Sequence, residues 1–331
     1  MRVLVLGGTR FVGPPTVQRL LDLGHEVVLF HRGHSESRPA GQADHIHGDF
    51  TNFAENLPKL LDLSPDVVLD TVPYIDKAGH GVLHFAGVAE RAVIVTSLDV
   101  YRAFAIAWGS EGEGAMAEPM PLTEDSPLRA GPSPDLSSDI DFDNVDIERA
   151  LLDRSELPVT VLRLPMIYGP NDAQHRLFNY VRRMDDRREA IILDEARAPL
   201  RWSRGYVENV AAAIALAGAD PRSAGRIYNV AAPEPPTEAE WVRLIGKACD
   251  WTGEIVVACS ELLPPSMRSP LAVRQDLFVS SERIRAELGY TERVTLEEGL
   301  LRTVAWTRAN PPTDEPLDYS MEDRVLAGVT A

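Results

Sequence analysis

The segment Gly7-Gly8-Thr9-Arg10-Phe11-Val12-Gly13 constrains this chain most. It follows an apolar run, Val3 to Leu6, and opens a helical pattern through Val17, Leu20, Leu21 and Leu23 that closes at Gly24. In a strand, glycine turn and helix of this kind, backbone without Cβ can approach an anion at the helix start, where free N–H groups and the helix dipole favour negative charge. A dinucleotide pyrophosphate is the anion that such a turn suits.

The pattern then repeats. Glu26 to Phe30, Asp44 to Ile46, Asp66 to Leu69, Arg91 to Thr96 and Pro158 to Leu164 read as further strands, with helical stretches between most of them. This alternation predicts right-handed crossovers and a parallel sheet covered on both faces, an α/β Rossmann-type doubly wound fold. After Gly169 the pattern is mixed. Helices are expected near 177–184, 207–217, 238–249 and 296–308, and strands at 190–193, 227–230 and 254–258.

We therefore expect a dinucleotide-binding domain of residues 1–165 plus about 205–232, and a smaller mixed α/β substrate domain of about 166–204 plus 233–310. The acidic, Pro-rich segment 311–331 is expected to wrap the surface or fray. Residues 109–139, rich in Gly, Pro, Ser and acidic residues, read as a long surface loop beside the site.

Fifty acidic residues against thirty-three basic ones give a net charge of -17, a field that repels phosphate backbones and anionic membranes. Nucleic acid is thus an unfavoured partner. No apolar run is long enough for a membrane span or a secretory signal, so a cytoplasmic protein is expected. Cys249 and Cys259 lack CxxC spacing and nearby His, and read as buried apolar residues.

The turn GGTRFVG resembles the Gly-x-x-Gly-x-x-Gly turn of extended short-chain dehydrogenases/reductases, the NAD(P)-dependent epimerase/dehydratase family, with Arg10 in place of the middle glycine. The resemblance continues in HGDF (His47 to Phe50), TSLDVY (Thr96 to Tyr101), LRLPMIYGP (Leu162 to Pro170), YVENVAAAIALA (Tyr206 to Ala217), YNV (Tyr228 to Val230) and ELGY (Glu287 to Tyr290). It implies a cofactor site formed by Gly7, Thr9, Arg10, Phe11, Val12, Gly13, Asp49, Phe50 and Pro165. Asp49 is the family's adenine contact. At the end of the second strand the chain reads Phe30-His31-Arg32-Gly33, and Arg32 offers positive charge where a 2′-phosphate would sit. NADP is favoured, with NAD as the alternative.

The resemblance also implies a catalytic Tyr whose pKa is lowered by a Lys four residues on, with a Ser bonding the same substrate oxygen. Ser97 matches the Ser. Aligned through Glu148, the Lys position is Asn144 and the Tyr position is Ile140, or Phe142 in a shifted register. No register recovers the pair, because no Tyr lies between Tyr101 and Tyr168 and no Lys between Lys77 and Lys247. The candidates for a rebuilt acid or base are Asp143, from an acidic cluster that otherwise reads as a solvated face, Tyr74 after the fourth strand, and Asp99 and Tyr101 beside Ser97. Tyr101 reads equally well as a half-buried aromatic under the loop.

The resemblance further places His175, Arg176, Arg201, Trp202 and Arg204 around a nucleotide-sugar diphosphate, although surface arginines paired with this protein's many acids fit those positions as well. His45-x-His47, and His80 with His84, are same-face pairs without a third ligand nearby, so no metal is expected. The function read from the sequence is an NAD(P)-dependent epimerase, dehydratase or reductase acting on a nucleotide sugar or similar hydroxyl/carbonyl compound with a non-standard acid/base. A redox-inactive NADP-binding regulatory module is the alternative. An RNA-binding member of the fold is the less favoured third reading. A homodimer through helices flanking 140–152 is implied by the resemblance alone.

Overall fold

The structure is a computed structural model and describes residues 1–34, 43–72, 81–112, 114–131, 143–152, 154, 156–313 and 316–329. Its elements run β1 (Arg2–Leu6), α1 (Gly13–Asp22), β2 (Glu26–His31), β3 (Asp44–His47), α2 (Phe53–Asp62), β4 (Val67–Asp70), β5 (Arg91–Ser97), α3 (Arg102–Ala107), α4 (Asn144–Leu152) and β6 (Val159–Leu164). They continue with β7 (Met166–Tyr168), α5 (Phe178–Asp185), β8 (Ala190–Asp194), β9 (Arg204–Tyr206), α6 (Val207–Ala219), β10 (Ile227–Asn229), α7 (Glu238–Ala248) and β11 (Glu254–Ala258). Last come α8 (Glu282–Leu288), α9 (Leu296–Ala309) and α10 (Ser320–Val329).

Seven strands form one parallel sheet in the order β10-β6-β5-β4-β1-β2-β3. The central strands are near-continuous Val, Ile and Leu because helices bury both of their faces. In β1, Val3 and Val5 join Val17 and Leu20 of α1 and Ala213 and Ala217 of α6. The alternate residues Leu4 and Leu6 join Phe85, Ile147 and Leu151 on the opposite face. The alanines of α6 allow it to lie close against both α1 and the sheet, and this helix is buried along most of its length.

A second core gathers Tyr168, Val181, Ile191, Trp241, Val242, Leu300 and Val304. Around it β8 pairs with β11 and β7 with β9, both in parallel. The turn after β6 thus enters a separately packed layer, leaving the carboxyl ends of the large sheet as a crevice between two cores.

Two expectations are corrected. Residues 320–329 neither fray nor merely wrap: they form α10, fastened by Glu322 to Arg183 at 2.6 Å, by Asp323 to Arg188, and by the cation–π contact of Arg188 with Tyr319. Cys249 and Cys259 are only partly buried. The surface-loop reading holds for residues 114–131, where Met116 is 83% exposed. This segment is nevertheless anchored to residues 278–280, through Leu122 N–H to Phe278 O and Ser280 N–H to Leu122 O. No helix among the described residues is long and apolar enough to cross a membrane.

Candidate functional site

The glycine turn lies at the carboxyl end of β1. Gly7 (φ +89°) and Gly8 (φ +78°) occupy the left-handed region that a Cβ disfavours. A Cβ on Gly7 would sit 2.5 Å from Thr71 Oγ1, and one on Gly13 would sit 2.4 Å from the Gly8 carbonyl carbon. Thr71, just after β4, holds the turn in place: its hydroxyl donates to Leu6 O and accepts from Gly8 N–H, both at 3.0 Å.

The donors available to an anion follow from accounting for each N–H. Gly7 N–H goes to Phe30 O, Gly8 N–H to Thr71, Gly13 N–H to Arg10 O and Thr16 N–H to Val12 O. Pro14 and Pro15 have no N–H, so the first turn of α1 contributes its dipole but few donors. The N–H groups of Phe11 and Val12 have no protein acceptor among the described residues. The turn therefore fits a pyrophosphate: the glycines make room, and the donors come from the turn itself. A cleft of about 900 Å³ opens beside it. Of the residues expected at the cofactor, Thr9, Arg10 and Phe11 line this cleft; Gly7, Val12, Gly13, Arg32, Asp49, Phe50 and Pro165 do not.

At the far corner, Asp49 accepts from the N–H and hydroxyl of Thr51, each at 2.9 Å, and these bonds hold its carboxyl below the usual range. Phe50 packs edge-on against Phe30, with ring centres 5.3 Å apart. Arg32 is exposed. Pro165 is buried and packs toward Gly205, where a Cβ would approach it to 2.9 Å.

Ser97 ends β5, partly exposed, and its Oγ accepts from Asp99 N–H at 3.3 Å. The base candidates separate sharply. Tyr101 is fully buried: its hydroxyl donates to Asn229 Oδ1 at 2.6 Å and accepts from Arg163 at 2.9 Å, and burial pushes its pKa up to about 12. Its hydroxyl is committed to buried partners on both sides. Asp143 is grasped at both oxygens by the buried Arg129, at 2.5 and 2.9 Å. Both of its oxygens are thus engaged by one guanidinium. Tyr74, Ile140, Phe142 and His80 lie outside the described residues.

At the lysine-aligned position, Asn144 donates to Asp99 Oδ1 at 3.1 Å, and Arg129 lies 4.0 Å from the same carboxylate. Beneath them Arg163 and Glu148 form a buried pair at 2.6 Å, and Glu148 also accepts from Thr96. Side chains on β5, β6 and α4 are thereby locked under Ser97.

The expected substrate residues disperse. Arg204 is 5% exposed, paired with Glu238 and stacked 4.5 Å over Trp241, so it belongs to the second core and not to a pocket wall. His175 stacks on Trp306, and Arg176 pairs with Asp172 at 2.6 Å. Arg201 is exposed, and its N–H donates to Asp276. Trp202 packs against the cluster that contains Leu98, Val100 and Tyr101, the residues that follow Ser97.

Two features escaped the sequence reading. Asp70, at the carboxyl end of β4, is 3% exposed, and burial raises its pKa to about 7 against the opposing bond from Val72 N–H. The signal for it was a carboxylate closing an apolar strand, Val67-Val68-Leu69-Asp70. The third ligand missing from His45-x-His47 is present as well: His31, on the neighbouring strand, joins the pair.

A sequence model of the NAD dependent epimerase/dehydratase family matches residues 3–88 and 146–231. An uncharacterized protein of Sinorhizobium fredii is 26% identical over 178 residues, 47% of this chain and 49% of that one. A dTDP-glucose 4,6-dehydratase of an Actinoplanes species is 26% identical over 204 residues, 61% of this chain and 58% of that one. The matches thus span about half of the length of these relatives. In three dimensions the chain is similar to the dTDP-glucose 4,6-dehydratase of Bacillus anthracis solved with NAD, with a TM-score of 0.66 and 18% identity over 94% of this chain and 97% of the other.

Proposed function

The chain belongs to the NAD dependent epimerase/dehydratase family, and from that premise we propose that it binds a nicotinamide dinucleotide, NADP in preference to NAD, and acts on a hydroxyl or carbonyl group of a nucleotide sugar or similar compound. The observation that carries this reading is the turn, where three glycines clear the space that Cβ atoms would fill and Phe11 and Val12 keep N–H groups for phosphate oxygens. The preference for NADP rests on exposed Arg32 at the ribose corner. When bound, the nicotinamide supplies reversible hydride transfer.

The protein's own part is to hold a substrate oxygen and move its proton. Ser97 Oγ accepts from Asp99 N–H, which leaves its hydroxyl proton to donate to that oxygen. Asp99, oriented by Asn144 and close to the Arg129 guanidinium, is the carboxylate we assign to the proton transfer that the family's Tyr performs. Tyr74 is the remaining alternative. Residues 166–204 and 233–310 form the substrate side, and Trp202 offers a ring for a nucleotide base. The reading includes a cytoplasmic protein and a homodimer.

A redox-inactive module is favoured by one specific observation: Tyr101 is consumed in a buried network while Asn144 stands at the lysine position. Turnover of dTDP-glucose and UDP-glucose in the presence of NADP, followed by nicotinamide absorbance and product analysis, separates the two. Activity lost in Ser97→Ala and Asp99→Asn supports the enzyme. Tight NADP binding with no turnover of any nucleotide sugar supports the module.

A further inference from the structure

The parallel register of β2 and β3 places His31 opposite His47 and Leu29 opposite His45. Residues two apart on a strand share a face, so all three imidazoles project from the same side of the sheet, at its β3 edge. The His31 ring centre lies 4.9 Å from those of both His45 and His47, which are 6.3 Å from each other. One nitrogen from each ring lies within 4.8 Å of the other two. We propose that His31, His45 and His47 bind one divalent transition-metal ion of the zinc class, with a fourth position open to water. This site is independent of the proposed enzymatic function.

Four features argue for that chemistry. Three ring nitrogens with no carboxylate among them suit zinc, nickel or copper and not the oxygen-seeking magnesium or calcium. Zinc–nitrogen bonds of about 2.0–2.1 Å at a tetrahedral centre set ligand nitrogens about 3.3 Å apart, a spacing that small ring rotations reach from this cluster. Burial is graded, with His31 3% exposed and His47 exposed, so an ion has both an anchored ligand and a solvent-facing entry. The overall charge of -17 attracts cations to the whole surface.

The present hydrogen bonds define what binding must change. Gly33 N–H donates to His31 Nδ1 at 3.1 Å, so that nitrogen is unprotonated and the proton of neutral His31 sits on Nε2, directed at His45 Nδ1 2.7 Å away. An ion held by His31 Nε2 takes the place of this proton, which moves to Nδ1. Gly33 N–H then loses that acceptor. The ion would fasten the four-residue strand β3, which among the described residues pairs with β2 alone, to the strand that leads into Arg32.

The test is calorimetric titration of untagged, chelator-stripped full-length protein with zinc chloride, alongside cobalt(II) absorption and thermal melting. We expect one ion per chain, a tetrahedral cobalt spectrum and a higher melting midpoint. His47→Gln and His45→Gln should each weaken zinc binding at least about ten-fold, a loss that even outer-shell changes at metal sites produce. Both should leave the circular dichroism unchanged, and His84→Gln, on the opposite face beside Phe53, should bind as the parent does. Absence of stoichiometric binding, or undiminished affinity in a His45→Gln/His47→Gln double variant, would overturn the proposal.

Discussion

The two corners of the crevice are built from different material. At the phosphate corner the working parts are backbone: positive-φ glycines, the N–H groups of Phe11 and Val12, and the start of α1. At the Ser97 corner they are side chains, and there the expected Tyr and Lys are gone, with Asn144, Asp99, Arg129 and Asp143 hydrogen-bonded across the space. A backbone site depends on room and on N–H groups more than on the identity of neighbouring side chains. A site made of two side chains is lost when their identities change, while the fold that carried it persists.

The largest effect on nucleotide binding is expected where the backbone has no room. Gly13→Val would drive side-chain carbon into the Gly8 carbonyl, 2.4 Å from an ideal Cβ, and should lower nicotinamide-nucleotide affinity by more than about 100-fold, equivalent to about 2.7 kcal/mol. Arg10→Ala should change it by less than a tenth of that factor. Equal losses in the two variants would erase the contrast between backbone and side-chain sites.

At the other corner, Glu148→Ala leaves the Arg163 guanidinium buried without its carboxylate. We expect a loss of about 3–5 kcal/mol in urea unfolding, with cofactor affinity retained in the folded fraction. Asp70 sharpens the comparison through pH. Its carboxyl ionises near pH 4 in the unfolded chain and near pH 7 in the fold, so between those values the unfolded chain alone sheds the proton. Stability contributed by the neutral carboxyl is fully present below about pH 4 and declines as pH rises to about 7, by up to about 4 kcal/mol. Asp70→Asn should flatten that decline and be the more stable protein at pH 8, as read from melting curves between pH 5 and 8.

The smallest effect belongs to Tyr101→Phe. Losing the bonds to Asn229 and Arg163 should cost about 1–3 kcal/mol of stability while leaving any pH–rate profile in place. Disappearance of the basic limb of that profile would restore Tyr101 as the base.

The sheet was readable from sequence because parallel strands buried on both faces must be runs such as Val-Val-Leu and Val-Ile-Val, and the phosphate turn because its conformation demands glycine at fixed positions. What escaped depends on partners distant in the chain. Arg129 and Asp143 are 14 residues apart, and their bidentate pair fixes one carboxylate of a stretch that reads as solvated. His31 completes the histidine cluster from a neighbouring strand, through a register that spacing along one strand does not encode. Arg204 looked like a pocket residue because its burial against Trp241 and Glu238 is a property of the second core. The tail misled through composition: its acids and Tyr319 found arginines on α5 and the loop after it.

Titration calorimetry of the unmodified chain with NADP and NAD tests the phosphate corner most directly. Saturable binding of one dinucleotide per chain, tighter for NADP, is the predicted result. No heat and no rise in melting temperature with either nucleotide, in oxidised or reduced form, would contradict it.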